Sequence, residues 1–292
     1  MRPWAALLLF VLAWPLATCA PAAAPRGEPA LWRISDHDSE IWLFGTVHVL
    51  PADLRWRSTR LNAAFSAADE LVLETDTSAG ETTAALTARY GLLPAGEKLS
   101  PRLPSHDAAR LARISSTLGV DPSSLERLRP WLAALRLSFA FAAAHGQLSE
   151  AGVEAVLLPE AQARGLRISY LETPEQQIRT LAELSDSDQL RFLQASLRQI
   201  EEGGGALEFI DRAWASGDVA ALDRELHAQL SQAGPGPYAV IITRRNEAWA
   251  DEIARRLEGS GRIFYAVGAA HLVGDGGVPA LLRRRGIDVE GP

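Results

Sequence analysis

The sequence predicts an α/β fold in which strands from both ends of the chain form one sheet around a large helical middle region. Strand-like and helix-like patterns alternate at both ends, whereas the pattern from about residue 100 to residue 235 is helical. Two apolar, strand-like runs, residues 41–44 and 263–267, are each followed by a Gly-x-x-His segment. This arrangement favours a single sheet assembled from the two termini.

The N-terminal part of the fold begins with a predicted β-hairpin. Residues 31–35 and 40–45 alternate between apolar and polar side chains and are separated by a short polar stretch. A helix is expected over residues 58–68. A short apolar strand over residues 71–73 follows and ends at Glu74.

The middle region contains clear helix-start signals. Aspartate or threonine followed by proline, as at Asp121 and Thr173, is typical of an N-cap with proline in the first helical turn. The second of these signals predicts a helix that ends near residue 184. Two further helices and one strand are expected over residues 130–146, 150–163 and 167–171, respectively.

The C-terminal part returns to alternating elements. The pattern predicts a helix over residues 238–257, a strand over 262–267, a helix over 277–285 and a last strand over 287–290.

Length and composition favour one globular domain. The chain has 292 residues, of which 47% are hydrophobic, which is enough for a sizeable core. We expect one domain over residues 30–292, with a helical insertion at about residues 100–235. The formal net charge of −7 argues against a nucleic-acid partner.

The first residues predict export. A basic start and an apolar run that is too short to span a bilayer indicate a signal peptide over residues 1–24. Cys19 is the only cysteine, so an intramolecular disulfide is excluded. Its position resembles a lipobox, although Thr18 is unusual there, so lipid anchoring and ordinary cleavage near residues 20–24 are both open. The protein is expected in the periplasm or outside the cell, with membrane contact only through such an anchor.

The two Gly-x-x-His segments supply the first candidate site residues, His48 and His271. Each histidine follows a predicted strand, and ligands of open α/β sheets bind outside the carboxyl ends of the strands. Glu74 stands at the corresponding place after a third strand. Two imidazoles and one carboxylate are a common ligand set for a catalytic divalent ion. The structural alternatives are histidines that cap strand ends and a Glu74 that pairs with a nearby arginine.

Further candidates lie beside these three. Glu172 ends a predicted strand and can reach the same edge, and Arg245 lies on the helix that precedes the last Gly-x-x-His strand. An arginine there can grip a carboxylate or an oxyanion, or simply tie the helix to the sheet. Asp76 is either a group that orients a histidine or a loop acid. Glu154 is expected to lie on a helix surface or in an ion pair.

Taken together, these segments resemble the TraB/PrgY superfamily, and among its branches the bacterial GumN branch is the best match. The resemblance extends over about residues 31–290. The segments that carry it are residues 42–49, 73–76, 171–177, 245–246 with Trp249, and 267–272 with Gly274.

The resemblance implies a fold, a site and an activity. The fold would be related to that of erythromycin esterase and of the haem-binding ChaN-like proteins. The implied active site consists of His48, Glu74, Arg245 and His271. Because the animal Tiki branch is a metal-dependent protease, the resemblance implies a divalent ion (Zn, Mn or Co) and a peptide or small-molecule substrate.

Three functions remain open from the sequence. The first is a metal-dependent hydrolase, in which His48, Glu74 and His271 hold the ion, Arg245 stabilises the oxyanion, and Glu172 or Asp76 moves protons. The second is a binding protein that holds a peptide, haem or small ligand without turning it over. The third is metal-free hydrolysis with a histidine as general base.

Overall fold

The computed structural model of this protein describes residues 27–76, 78 and 80–292. The predicted signal segment over residues 1–24, including Cys19, lies outside the described residues. Within the described part, no helix combines the length and the apolar character that a membrane span requires.

A central five-stranded sheet confirms the predicted α/β class. Its strand order is β1-β2-β7-β4-β6, with β1 antiparallel to β2 and the other neighbours parallel. Two short strands, β3 and β5, pair with each other separately. The strands are β1 (Leu31–Ser35), β2 (Ser39–Thr46), β3 (Leu50–Pro51), β4 (Glu70–Leu73), β5 (Gln147–Leu148), β6 (Arg167–Tyr170) and β7 (Gly261–Gly268).

The described residues form twelve α-helices, of which all but the first and the last lie between β4 and β7. They are α1 (Thr59–Ala67), α2 (Gly80–Gly91), α3 (Ser105–Thr117), α4 (Pro130–Ala144), α5 (Val153–Ala163), α6 (Pro174–Ala182), α7 (Asp186–Glu202), α8 (Gly205–Ser216), α9 (Val219–Ser231), α10 (Pro235–Tyr238), α11 (Arg244–Leu257) and α12 (Val278–Arg284).

Three local predictions need correction. The predicted strand over residues 287–290 is wrong, because only a single bridge between Arg33 and Glu290 forms there. The cap signal at Asp121 starts only a three-residue 3-10 turn, since the Asp121 side chain accepts the N–H of Ser123 but no longer helix follows. The helix predicted over residues 238–257 begins with a π-helical turn, Ala239–Thr243, before α11.

Helices cover both faces of the sheet. On one face, Phe44 and Phe264 lie 6.0 Å apart between ring centroids and contact Phe65 of α1 and Trp214 of α8. The opposite face is covered by α11, whose Arg256 bonds Glu70 of β4 at 3.0 Å. A sheet buried on both sides explains why its strands are almost continuously apolar.

The helical middle region is divided between two apolar clusters. Helices α3, α4 and α7 surround a cluster of their own that includes Leu111, Leu137 and Leu193. In contrast, α5 packs into the sheet core, and β6 completes the sheet edge beside β4. The region predicted as an insertion therefore supplies both a separate helical cluster and one strand of the sheet.

Candidate active site at the carboxyl edge of the sheet

The four parallel strands end at one edge of the sheet, and each is followed by a predicted site residue. In the spatial order of the strands, His48 follows β2, His271 follows β7, Glu74 follows β4 and Glu172 follows β6. Parallel pairing brings these four chain ends side by side, although they are far apart in the sequence. The structure thus places all four at the edge where ligands of open α/β sheets bind.

The glycines of the two Gly-x-x-His segments permit close approaches at this edge. A Cβ added at Gly45 would lie 3.0 Å from Cα of Ala269, so the two segments touch each other. A Cβ at Gly268 would lie 2.9 Å from Oε1 of Glu74. The absence of side chains at these positions lets the second segment pack on the first and lets Glu74 approach the backbone.

Arg245, on the first turn of α11, is the centre of the site. Its side chain is only 12% exposed. Its Nε donates to Glu172 Oε1 at 2.7 Å, and its Nη2 donates to Glu172 Oε2 at 3.1 Å and to Glu74 Oε2 at 2.6 Å. Its Nη1 donates to the Ile241 carbonyl at 3.3 Å and to His271 Nε2 at 3.0 Å. The five N–H groups of the guanidinium are therefore matched by five acceptor contacts.

Glu74 is an ionised, fully engaged carboxylate. Besides Arg245, it accepts the backbone N–H of Gly268 at 2.6 Å and the Gln177 side-chain amide at 3.3 Å. Burial raises the pKa of this carboxyl, but the charge of Arg245 and the N–H of Gly268 oppose burial, and the pKa lies below its ordinary value. The arginine pairing, one of the two predicted alternatives for Glu74, is the one that the structure shows.

His271 is a buried, neutral imidazole with a defined tautomer. Asn246 donates its amide to the Gly276 carbonyl at 2.7 Å, which leaves Asn246 Oδ1 to accept from His271 Nδ1 at 2.6 Å. The proton therefore lies on Nδ1, and Nε2 accepts from Arg245. Burial lowers the pKa of His271 to about 3. The Trp249 ring lies 4.4 Å from the imidazole and also covers the guanidinium.

His48 differs from the rest of the site because it faces solvent. Its side chain is 60% exposed, whereas its partner Glu154 is buried and only 10% exposed. His48 Nδ1 lies 2.9 Å from Glu154 Oε1, which also accepts the Thr46 hydroxyl. The Glu154 carboxylate raises the pKa of His48 above its ordinary value. Glu154 thus orients an exposed imidazole through its Nδ1.

Helix α5 fixes Glu154 in this position. The N–H of Val153, its first residue, donates to the Val47 carbonyl at 3.1 Å and so ties the start of the helix to the segment that contains His48. Glu154 lies in the first turn of α5, where the helix dipole favours a negative charge. Burial raises the pKa of Glu154, but the charge of His48 outweighs burial and the pKa is lowered.

The structure also places the other candidate residues. Glu154, expected on a helix surface or in an ion pair, pairs with His48 and is buried. Asp76 Oδ1 accepts the N–H and the hydroxyl of Ser78 in the loop after β4. Glu172 is held by Arg245 through both carboxylate oxygens.

Three members of the site were not among the predicted site residues: Asn246, Gln177 and Thr46. Asn246 and Gln177 stand inside the segments that carry the family resemblance, and that position was the available signal. Thr46, the first x of Gly-x-x-His, also lies inside one of these segments, residues 42–49.

The predicted ligand set of His48, Glu74 and His271 can bind a divalent ion only through atoms that are not already hydrogen-bonded. Both imidazoles are anchored through Nδ1, which is common among metal-bound histidines. However, Arg245 already donates to His271 Nε2 and to Glu74 Oε2. A cation between these donors requires Arg245 to move, so the set does not fit an ion in this arrangement and stays a prediction.

A different acidic group lies in the β1–β2 turn. Among the described residues, Asp36, His37 and Asp38 form the only set of three whose possible ligand atoms all lie within 4.8 Å of one another. All three are exposed, and Asp36 accepts the backbone N–H groups of Asp38 and Ser39. These bonds close the hairpin turn.

Known proteins resemble this chain over nearly its whole described length. Residues 30–291 match the TraB/PrgY/gumN family. The chain is 30% identical over 265 residues to the uncharacterised protein YbaP of Escherichia coli strain K12, which covers 89% of this chain and 96% of YbaP. It is equally similar to YbaP of Shigella flexneri, and it is 27% identical over 280 residues to an uncharacterised protein of Treponema pallidum strain Nichols. The match over nearly the whole described chain confirms the predicted relationship, and the protein belongs to the TraB/PrgY/gumN family.

Proposed function

We propose that this protein is a hydrolase that cleaves an amide or ester bond in a peptide or small molecule, with His48 as the general base. The observation that supports this proposal most strongly is the pair of His48 and Glu154. A buried carboxylate holds Nδ1 of an imidazole that is itself open to solvent at the ligand-binding edge of the sheet. This is the geometry of a base with an orienting partner.

In the proposed reaction, Glu154 accepts a hydrogen bond from the Nδ1–H group of His48, so that the unprotonated Nε2 is the base. Nε2 removes a proton from water as the water oxygen attacks the substrate carbonyl. The Glu154 carboxylate then stabilises the imidazolium. The same proton is given to the leaving amine or alcohol as the C–N or C–O bond breaks. Because Glu154 raises the pKa of His48, the rate is expected to increase as the pH rises above 7.

Arg245 serves this reaction as a positioning residue. Its N–H groups are engaged by Glu74, Glu172, His271 and a backbone carbonyl, so it fixes the ends of three strands beside His48. The oxyanion role predicted for Arg245 requires it to release one of these partners. Likewise, Glu172 transfers a proton only if its bidentate pairing opens.

The proposal is tested with purified mature protein assayed against peptide and ester libraries, with and without a chelator. The variants are His48→Ala and Glu154→Gln, and the matched control is His37→Ala, an exposed histidine in the β1–β2 turn. We expect chelator-resistant hydrolysis that falls about 100-fold or more in His48→Ala. A smaller loss is expected in Glu154→Gln and none in His37→Ala.

The outcomes separate the three candidate functions. Activity that survives His48→Ala contradicts the proposed base. Activity that a chelator abolishes and zinc, manganese or cobalt restores supports the metal-dependent route, which the Nδ1 anchoring of both histidines favours as the second candidate. Thermal stabilisation by a ligand without product supports a binding protein and contradicts hydrolysis.

We also propose that the hydrolase is exported, because the predicted signal segment precedes the described domain. Cell fractionation of the full-length protein tests this. Membrane association that is lost in Cys19→Ala indicates a lipid anchor, and a soluble periplasmic or extracellular product indicates ordinary cleavage. Cytoplasmic protein with an intact N-terminus contradicts export.

A further inference from the structure

A cavity lies beside the candidate active site, between α2 and α6. Its volume is about 680 Å³, within the range of small-molecule sites. The wall contributed by α2 includes Ala84 and Ala88, which are one helical turn apart. Leu132 of α4 and Ile178 of α6 form further parts of the wall. Leu92 completes this apolar wall, and the rest of the rim is mostly polar and includes Asp76. The apolar wall favours an apolar group in that part of the cavity.

Two polar side chains connect this cavity to the site. Gln177 lines the cavity and donates to Glu74 Oε2 at 3.3 Å. Thr75 also lines the cavity, is only 9% exposed, and its hydroxyl has no hydrogen-bond partner among the described residues. An unpartnered buried hydroxyl costs stability, and a ligand carbonyl or N–H is a suitable partner for it.

We propose that this cavity binds an apolar side chain of a peptide substrate, next to the bond that is cleaved at the sheet edge. The apolar wall would hold the side chain, and Thr75 and Gln177 would bond the adjacent peptide backbone. This inference rests on the proposed function for its substrate class, but it concerns binding and can be tested without turnover.

The test measures binding by the His48→Ala variant, in which hydrolysis is not expected. The probes are a dansylated tetrapeptide of two leucines followed by two glycines and its counterpart with serines in place of the leucines. Because the leucine side chains can leave water, we expect the leucine peptide to bind at least tenfold more tightly. In a double variant with His48→Ala, Ala88→Trp places an indole against the apolar wall of the cavity. It should abolish the tighter binding of the leucine peptide. Ala85→Trp is the matched control, since Ala85 is equally exposed on α2 but does not line the cavity.

Thr75→Val provides a second, independent measurement. Valine keeps the shape of threonine and removes the hydroxyl. If the hydroxyl bonds the ligand, the leucine peptide should bind several-fold more weakly while the melting temperature of the free protein is unchanged or raised. A lower melting temperature with unchanged affinity contradicts a ligand role for Thr75.

Failure of this inference is distinguishable from failure of the proposed function. Equal binding of the two peptides, or a preference that persists in Ala88→Trp, overturns the binding site even if the wild-type protein hydrolyses peptides. Selective binding that depends on the cavity supports the site even if the wild-type protein hydrolyses nothing.

Discussion

At the scale of single residues, one buried cation organises the site. Arg245 pairs with two carboxylates, Glu74 and Glu172, and all three side chains are at most 12% exposed. Removing one partner from a buried ion pair leaves an uncompensated charge, which costs far more than the loss of an exposed pair. Arg245 is therefore important for stability as well as for the arrangement of the site.

Arg245→Met is expected to lower the free energy of unfolding by about 3–5 kcal/mol, because Glu74 and Glu172 remain buried without their cation. The measurement is urea denaturation. The matched control is Arg262→Met, which removes a pair with Asp69 in which both side chains are about half exposed, and it should change stability by less than about 1 kcal/mol. If the two variants lose the same free energy of unfolding, the buried ion pairs of Arg245 stabilise the protein no more than the exposed pair of Arg262 does.

At the scale of elements, parallel strand ends deliver the residues and helix starts orient them. Strands β2, β7, β4 and β6 end together, which brings His48, His271, Glu74 and Glu172 to one edge. The first turn of α5 presents Glu154 to His48, and the first turn of α11 presents Arg245 to the other three. Contact between the two Gly-x-x-His segments keeps β2 and β7 in register at this edge.

Gly45→Ala tests that contact. The added Cβ would lie 3.0 Å from the Cα of Ala269, so we expect a loss of about 1–3 kcal/mol in unfolding free energy from overpacking. The control is Gly205→Ala, at the start of α8, where an added Cβ meets nothing within 4 Å. A stability for Gly45→Ala like that of the control would mean that the two segments separate easily.

At the scale of the whole molecule, the site links stability to pH. The interactions of Glu74 hold its pKa at about 2 in the folded protein, below its ordinary value of 4.5. A group whose pKa is lowered on folding stabilises the protein fully above its unfolded pKa and loses that effect as the pH falls to the folded pKa. The stabilisation by Glu74 is therefore present above about pH 4.5 and is lost between about pH 4.5 and 2.

We expect the melting temperature to fall steeply between pH 4.5 and 2.5, because Glu74 becomes protonated and its pairing with the Arg245 cation is lost. In Glu74→Gln this position no longer titrates, so the variant should be less stable near pH 6 but should lose less on acidification. Thermal unfolding of both proteins across this range is the measurement. If the melting temperatures of the wild-type protein and of Glu74→Gln fall equally between pH 4.5 and 2.5, Glu74 is not the group responsible.

Much of this molecule was predictable from local sequence. The hairpin, the strands before Glu74 and His271, and the cap at Thr173 all follow from short-range patterns of apolar, polar and capping residues. The family resemblance also selected His48, Glu74, Arg245 and His271 as site residues. Local patterns failed at residues 287–290, where an apolar and acidic tail forms only one bridge to β1.

Local sequence identifies which side chains stand at the strand ends, because strand and helix periodicity is encoded within a few neighbouring residues. The pairing of those side chains depends on contacts between distant parts of the chain. Glu74 meets Arg245 across 171 positions of sequence, and Thr46 meets Glu154 across 108. Such pairings depend on strand order and helix placement, which arise from packing of the whole core. The contact of Arg245 with Glu74 and His271 therefore follows from the fold and not from any local motif.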